Sequence, residues 1–181
     1  DALREDAASV VARLTAGGFA VELLSGDRPQ AVAEAARAAG IAAWRGSQRP
    51  DQKIERLEEL KAAGRRVLMI GDGINDAPAL AAAHASMSPA SAADISQTTA
   101  DAIMQGKTLS GVADALAVAK AAHKMALQNF GIAIAYNVIF VPLAMAGLVT
   151  PLIAAVAMSV SSITVTANAV RLKAMRLELK A

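Results

Sequence analysis

The chain has 181 residues, a formal net charge of +2, no cysteine and 3% aromatic residues. So small a charge and so few aromatic side chains argue against nucleic acid as a partner. The lack of cysteine excludes disulfides and thiolate metal ligands within the chain. Residues 125–170 contain no charged side chain at all. We therefore expect a charged, soluble part followed by an apolar module.

The first part of the chain alternates between helix and strand patterns. Strands are predicted at 19–24, 41–44, 67–70, 85–87 and 102–104. Helices are predicted at 2–16, 29–40 and 50–63, with a further short one from Pro78. Repeated strand–helix units predict an α/β fold in which helices cover a parallel sheet. Ligands bind such sheets at the carboxyl ends of strands, where segments 25–27 and 71–73 follow apolar runs.

The apolar stretch is long enough for two membrane spans, which need roughly 20 residues each. We place the spans at 127–146 and 150–171, with Thr150 as the N-cap and Pro151 as the first helical residue of the second. Basic residues flank both outer ends, so the positive-inside rule predicts that both ends are cytoplasmic and the short turn is outside. The alternative is a helical hairpin buried in a larger soluble core.

The segment MIGDGINDAPAL at 69–80 is the strongest chemical signal. An apolar strand ends here, and two glycines let the backbone turn closely around a ligand. Asp72 and Asp76 then place two carboxylates in one loop, with Asn75 beside them. Hard oxygen ligands at a strand end suit Mg²⁺, which prefers a few carboxylates together with phosphate and water.

Three motifs in order carry a resemblance to a known family. GDGINDAPAL at 71–80 resembles the signature of the P-type ATPases, whose phosphorylation domain is haloacid dehalogenase-like. LLSGD at 23–27 resembles the family's TGD segment with serine in place of threonine, and RPDQK at 49–53 matches its P-x-x-K segment. The resemblance covers nearly the whole chain. It implies a partial haloacid dehalogenase-like (Rossmann-like) phosphorylation domain followed by a two-helix transmembrane hairpin.

The resemblance implies roles for the residues of the GDGIND loop. Asp72 would coordinate Mg²⁺ at an aspartyl phosphate, and Asp76 would be a second magnesium ligand. Asp76 and Asn75 would also fix the loop and support the site. Gly71 and Gly73 would contribute backbone groups that approach the bound phosphate and nucleotide.

The resemblance also implies roles for the two earlier motifs. Ser25, Gly26 and Asp27 would hold the phosphoryl oxygens, and Lys53 would neutralise their charge. The family's nucleophilic aspartate lies in a DKTGT segment, which this sequence does not contain. We therefore expect the chain alone to be inactive, with ATP bound mainly by the remaining N-terminal part of the same pump.

Polar side chains within the two spans are candidate ligands for a transported ion, because burying them in lipid is unfavourable. They are Tyr136, Asn137, Met158, Ser161 and Ser162. A thioether is a soft ligand that suits Cu(I), but serine and asparagine also hold membrane helices together and methionine fills gaps. The YN and MxxSS patterns resemble the copper-transporting branch of the heavy-metal pumps. A pump for zinc or cadmium is the alternative, although those pumps usually place charged residues in these spans.

Segment 84–94, HASMSPASAAD, stands where copper pumps usually have a glycine-rich stretch. This variant resembles the copper exporters that serve haem–copper oxidase assembly. The implied setting is the cell membrane, crossed more than once, with membrane lipid and a copper chaperone as partners. The rival from another class is a short membrane-tethered regulatory or binding protein without catalysis.

Four parts are expected along the chain. Residues 1–115 form the C-terminal part of the phosphorylation domain, 116–126 a cytoplasmic helical connector, 127–173 the two transmembrane helices and 174–181 a cytoplasmic tail. The sequence has no initiator Met and starts inside a helical pattern. We therefore expect it to be a piece of a longer protein.

Overall fold

The computed structural model describes residues 3–72, 74–106 and 108–178, with side chains as far as Arg171. The chain forms two compact units, Asp1–Ala113 and Asp114–Ala181. The strands are β1 Glu22–Leu24, β2 Ala43–Arg45, β3 Leu68–Ile70, β4 Ala85–Pro89 and β5 Ala102–Met104. The helices are α1 Ala7–Ala16, α2 Pro29–Ala39, α3 Pro50–Ala62, α4 Ala77–Ala82, α5 Asp94–Thr99, α6 Ser110–Met145 and α7 Pro151–Glu178.

All described strands of the first unit pair in parallel, as the alternation of strand and helix patterns predicts. β1 pairs with β2, with Leu23 opposite Trp44. β4 lies between β3 and β5 in a second sheet, with Met87 opposite both Ile70 and Ala102. The division into two sheets was not predicted, because strand patterns identify strands without identifying their neighbours.

Proline and glycine set the helix ends much as predicted. α2 begins at Pro29, and Gly40 ends it at a φ of 74°, donating its N–H to the carbonyls of Ala36 and Arg37. A positive φ is readily adopted by glycine, which has no Cβ. α3 begins at Pro50. Proline has no N–H, but an N–H in the first turn of a helix has no partner within the helix, so no hydrogen bond is lost. The start of α1 was predicted too early, since the helix begins at Ala7 after a turn in which the N–H of that residue donates to the carbonyl of Arg4.

Small and medium apolar side chains fill the first unit. One cluster joins Ala7 and Val11 of α1 to Ala39 of α2. Leu57 of α3 and Leu80 of α4 are each 1% exposed, and α3 packs against α4. Full burial of a leucine contributes about 2 kcal/mol. This packing fixes α3 next to the element that follows the GDGIND loop.

The second unit contains α7 and all but the first turn of α6. Both helices are long and apolar enough to cross a membrane. α6 runs without a break through the predicted connector and the predicted first span. The hydroxyl of Thr150 accepts a hydrogen bond from the N–H of Ile153 at 3.3 Å, which confirms the predicted N-cap of α7. The apolar windows of both helices are 0% buried, so the part of the chain that the structure describes does not enclose them as a buried hairpin.

Candidate functional site

The GDGIND loop lies at the carboxyl end of β3, as predicted. Asp72 is exposed, and its backbone carbonyl accepts a hydrogen bond from the N–H of Ala93 at 3.3 Å. A short 3-10 helix, Ile74–Asp76, follows and leads into α4. Asn75 is exposed within it, and Gly73 lies outside the described residues. The side chain of Asp72 is therefore open to a ligand, while the backbone behind it is hydrogen-bonded.

Lys53 reaches this loop from α3. Its Nζ donates to Oδ1 of Asp76 at 2.6 Å, and the two side chains are only 10% and 15% exposed. The pair joins two motifs that lie 23 residues apart. A partly buried ion pair is sensitive to loss of one partner, because the remaining charge is then desolvated without compensation. The structure thus brings together Lys53 and Asp76, two of the predicted site residues.

Gly71 allows Asp76 to come this close. A Cβ added at Gly71 would lie 2.7 Å from Cβ of Asp76 and 3.1 Å from its Oδ2. Real Cβ atoms do not approach other heavy atoms at 2.7 Å, and a packed position tolerates little added volume. Gly71 is therefore required by the neighbouring carboxylate, in addition to any role in approaching a ligand.

The Ser25–Asp27 loop lies at the carboxyl end of β1 and is braced by the segment that follows β2. The N–H of Ser25 donates to the carbonyl of Arg45 at 3.0 Å, and the N–H of Gln48 donates back to the carbonyl of Ser25 at 2.9 Å. The N–H of Ser47 donates to the carbonyl of Asp27 at 2.7 Å. The hydroxyl of Ser25 accepts from the N–H of Asp27 at 3.2 Å. The backbone of this loop is thus fixed, while the carboxylate of Asp27 is exposed.

Of the two glycines at the contact between these loops, only Gly46 is required by the packing. A Cβ added at Gly26 would lie 3.4 Å from the carbonyl oxygen of Gln48. At Gly46 it would lie 2.7 Å from Cα of Pro29, so no larger residue fits without a backbone shift. Gly46 was not among the predicted site residues. Its position between β2 and the RPDQK segment was the only signal for it in the sequence.

A second set of charges, also missed by the sequence analysis, holds α3 against β1. Nε and Nη2 of Arg56 donate to the two carboxylate oxygens of Glu22 at 3.1 and 3.0 Å, and Nη1 donates to Glu59 at 2.8 Å. Hydrogen bonding by Glu22 and then Glu59 raises the pKa of Arg56, and Arg56 in turn lowers the pKa of Glu59. Bidentate pairing of this kind fixes geometry as well as charge. It positions the helix that carries Lys53.

The loop after β3 suits a hard cation. Among the described residues no group of three or more histidine, cysteine, aspartate and glutamate side chains could by itself hold a metal ion. Mg²⁺ needs no such cage, because it binds through one or two carboxylates and takes its other ligands from phosphate and water. Asp72 supplies an exposed carboxylate, and Asp76 supplies a second one whose position is set by Lys53. The donor set therefore fits magnesium bound together with a phosphate.

The five predicted ion ligands of the second unit divide between packed and open positions. Tyr136 and Ser161 are half-buried, and the ring of Tyr136 stacks on Phe140 with centroids 4.7 Å apart. Asn137 and Ser162 are exposed, and Met158 is 66% exposed. The amide of Asn137 donates to the carbonyl of Ala133 within its own helix at 2.9 Å. The ion site built from these five residues stays a prediction.

Comparison with known proteins agrees with this geometry. The family model of the haloacid dehalogenase-like hydrolases matches residues 1–84. The nitrogen fixation protein FixI of Bradyrhizobium diazoefficiens is 55% identical over 169 residues, which are 93% of this chain and 23% of that protein. A copper-exporting P-type ATPase of Bacillus subtilis is 36% identical over 176 residues, which are 97% of this chain and 22% of that protein.

Among solved structures, a zinc-transporting PIB-type ATPase in its E2.Pi state superposes with a TM-score of 0.86 at 33% identity. The match covers 95% of this chain and 28% of that one. The chain thus spans about a quarter of the length of its relatives. It carries a haloacid dehalogenase-like unit followed by two long apolar helices. The chain is a homologue of the C-terminal part of the heavy-metal P-type ATPases.

Proposed function

We propose that this chain is part of an ATP-driven pump that moves Cu(I) out of the cytoplasm through an aspartyl-phosphate intermediate. The observation that carries the proposal is the ion pair of Lys53 and Asp76 beside the exposed carboxylate of Asp72, at the carboxyl end of a parallel strand. This brings the ammonium of Lys53, from α3, to the loop that carries both carboxylates. Phosphoryl transfer needs such groups for positioning and charge compensation.

Different residues of the first unit would bind Mg²⁺, offset negative charge and contact the phosphoryl oxygens. Asp72, supported by Asp76, would hold Mg²⁺, and the ion would offset negative charge on the transferred phosphoryl group. Lys53 holds the carboxylate of Asp76 in place through this hydrogen bond, and its ammonium adds positive charge beside the same loop. The Ser25–Asp27 loop offers the hydroxyl of Ser25 as a donor to phosphoryl oxygens, on a backbone already braced by the segment after β2.

The nucleophile would come from another part of a longer protein. No DKTGT segment occurs in the sequence. Among the described strands β1 pairs only with β2, and β3 pairs at one edge only, with β4. Open strand edges of this kind pair readily with further strands. We expect the remaining N-terminal part of the pump to supply the nucleophile and most of the ATP site, and the chain alone to be inactive.

The choice of copper rests on the second unit. Residues 125–170 contain a methionine within the second span and no charged side chain, a composition that suits a soft monovalent ion better than a divalent one. One relative is named as a copper exporter. The competing candidate is Zn²⁺, because the superposed structure is that of a zinc-transporting enzyme. A role in haem–copper oxidase assembly remains a proposal based on segment 84–94.

We propose a location in the cell membrane with both ends of the chain in the cytoplasm. Two observations support it, the length and composition of α6 and α7 and the basic residues that flank them. Membrane lipid would cover the outward faces of the helices. A copper chaperone would deliver the ion to the complete protein.

The test is the ATPase activity of the full-length parent protein with Cu(I), Ag(I) and Zn²⁺, measured for the wild type and for Met158→Ala. We expect stimulation by Cu(I) and Ag(I) that the variant loses. Stimulation by Zn²⁺ alone would replace the ion assignment. No response to any metal would favour a membrane-tethered regulatory protein instead.

A further inference from the structure

The half-buried positions of the two helices of the second unit lie on one face of each helix. On α7 the half-buried positions are 157, 161, 165 and 168, occupied by Ala, Ser, Val and Asn. Their spacing of three and four residues places them on one side of the helix. On α6 the half-buried positions from 125 onwards are 125, 129, 132, 133, 136 and 140. We call these two faces the seam.

One hydrogen-bonded pair of amides crosses the seam. Nδ2 of Asn168 donates to Oδ1 of Asn129 at 2.8 Å, and Oε1 of Gln128 lies 3.5 Å from the same nitrogen. None of these residues was among the predicted ion ligands. Each lies close to the cytoplasmic end of a predicted span.

Arg171 fixes the direction of this bond. Its Nη1 donates to Oδ1 of Asn168 at 3.4 Å. A guanidinium can only donate, so the amide oxygen of Asn168 must face it and the amide nitrogen must face α6. Asn129 must then present its oxygen. The contact with Arg171 supports this orientation of the two amides.

On each helix, a predicted ion ligand lies the same number of residues away from the asparagine of the amide pair. Tyr136 is seven residues beyond Asn129 on α6, and Ser161 is seven residues before Asn168 on α7. Seven residues of helix span about 10.5 Å. A connection of only five residues joins the helices, so they run antiparallel. Pairing Asn129 with Asn168 therefore brings Tyr136 and Ser161 to the same level on the seam.

The other residues of the seam give little preference for one alignment of α6 against α7. Alanine, serine and valine on α7 let two helices approach, but lipid tails are as apolar as these side chains and give little preference for one alignment. A shift by one helical turn moves a residue by 5.4 Å. A single polar pair at a helix interface is known to select one alignment, since the others leave it unsatisfied.

We propose that Asn129 and Asn168, oriented by Arg171, form a positioning pair that sets the alignment of α6 against α7 and so holds the ion ligands of the two helices opposite each other. The inference rests on the proposed function, because it acts on the ligands of the transported ion. Neither asparagine touches the ion. The pair acts through Tyr136 on α6 and through Met158 and Ser161 on α7.

The test is a double-mutant cycle in the full-length parent protein. Asn129→Ala, Asn168→Ala and the double variant are compared for the metal concentration that half-activates the ATPase and for kcat. Thr164→Ala is the matched control, because its hydroxyl bonds only to the carbonyl of Val160 in the same helix. We expect each single variant to raise the half-activating concentration about tenfold, the size of a coupling of about 1.4 kcal/mol, with the control unchanged.

The double variant distinguishes a positioning role of the asparagine pair from a non-specific loss of structure. If the amides act as a pair, the double variant is no worse than either single one. Asn129→Asp keeps an acceptor for Asn168 and should retain more metal affinity than Asn129→Ala, whereas Asn168→Asp removes the donor and should lose affinity. Additive effects in the cycle, or half-activating concentrations equal to that of the wild type, would overturn the proposal.

Phosphorylation by inorganic phosphate, measured without metal in the same variants, shows whether the first unit is intact. It should be unchanged in all of them. A wild type that no metal activates would refute the proposed function. A wild type that is activated, together with asparagine variants that are activated equally well, would refute only the positioning pair.

Discussion

The two units of this chain fix their candidate functional residues in different ways. In the first unit, Lys53 and Asp76 are joined at 2.6 Å and mostly buried, and backbone bonds brace the loops around them. In the second unit, Met158 is 66% exposed and Asn137 bonds only within its own helix. Contacts among the described residues therefore hold the charged loops of the first unit in place, whereas they leave most of the predicted ion ligands of the second unit without a partner on another helix.

The difference follows from the forces available to each unit. Water drives apolar side chains of the first unit into a core, and the core positions α3 and the loop after β3. Two apolar helices in lipid gain little from contacting each other, so polar bonds and close packing must hold them. We therefore expect substitutions in the first unit to act through local geometry, and those in the second to act through helix alignment and metal affinity.

The largest effect is expected at Asp72. Replacing it by asparagine in the full-length parent protein keeps the size of the side chain but removes the charge that would hold Mg²⁺. Activity should fall by about 10² to 10³, the loss typical of removing one group that stabilises a transition state. The measurement is the metal-stimulated ATPase rate, with Asp51→Asn as the control because Asp51 is exposed and pairs only with its neighbour Arg49. A variant that keeps the wild-type rate at the same Mg²⁺ concentration would contradict the role.

Lys53→Met should have the next largest effect. It leaves the carboxylate of Asp76 mostly buried without its cation, which should lower the free energy of unfolding of the first unit by about 3 kcal/mol. Calorimetry of the full-length protein would show this as a lower unfolding temperature for that unit. The matched control is Lys61→Met, since Lys61 pairs with the exposed Glu58 at 2.9 Å and such pairs contribute little. Equal shifts for the two variants would show that the Lys53–Asp76 pair has no special importance.

Two glycines offer a direct contrast between the units. Gly71→Ala would place a Cβ 2.7 Å from Cβ of Asp76, and we expect a loss of about 2 kcal/mol in the unfolding free energy. Gly131→Ala in α6 meets nothing within 4 Å and replaces glycine inside a helix, so it should be neutral or stabilising. Thermal unfolding of both variants would test the contrast. A neutral Gly71→Ala would contradict the tight approach at the loop.

The smallest effect is expected at Arg56. Arg56→Met removes the bonds to Glu22, which hold α3 on β1, and the bond to Glu59 within α3. Because these side chains are partly exposed, the expected loss is only about 1 kcal/mol, and it should shrink as salt is added. The check is thermal unfolding at low and high ionic strength. An effect independent of salt would point to lost packing of the arginine side chain instead of lost charge pairing.

Much of the first unit follows from local sequence signals. Two helices begin at Pro29 and Pro50, and α2 ends at Gly40. The backbone preferences of proline and glycine do not depend on distant residues. The strand at 102–104 was predicted with the observed bounds. The placement of Asp72 after β3 followed from the rule that loops at strand ends carry ligands.

The features that were missed depend on contacts between distant residues. Glu22 and Arg56 lie 34 residues apart, and Asn129 and Asn168 lie 39 apart. Neither pair has a local pattern that would connect its members. The division of the strands into two sheets was missed for the same reason, because pairing is decided by the packing of the whole unit.

The central claim is that the first unit carries phosphoryl chemistry that the helix pair controls through a bound metal. Phosphoenzyme formation in the full-length parent tests it most directly, from ATP in the presence of Cu(I) and from inorganic phosphate without metal. We predict that Asp72→Asn loses both reactions, whereas Met158→Ala loses phosphorylation from ATP and keeps phosphorylation from inorganic phosphate. Wild-type phosphorylation from ATP in Met158→Ala, or from either source in Asp72→Asn, would contradict the claim.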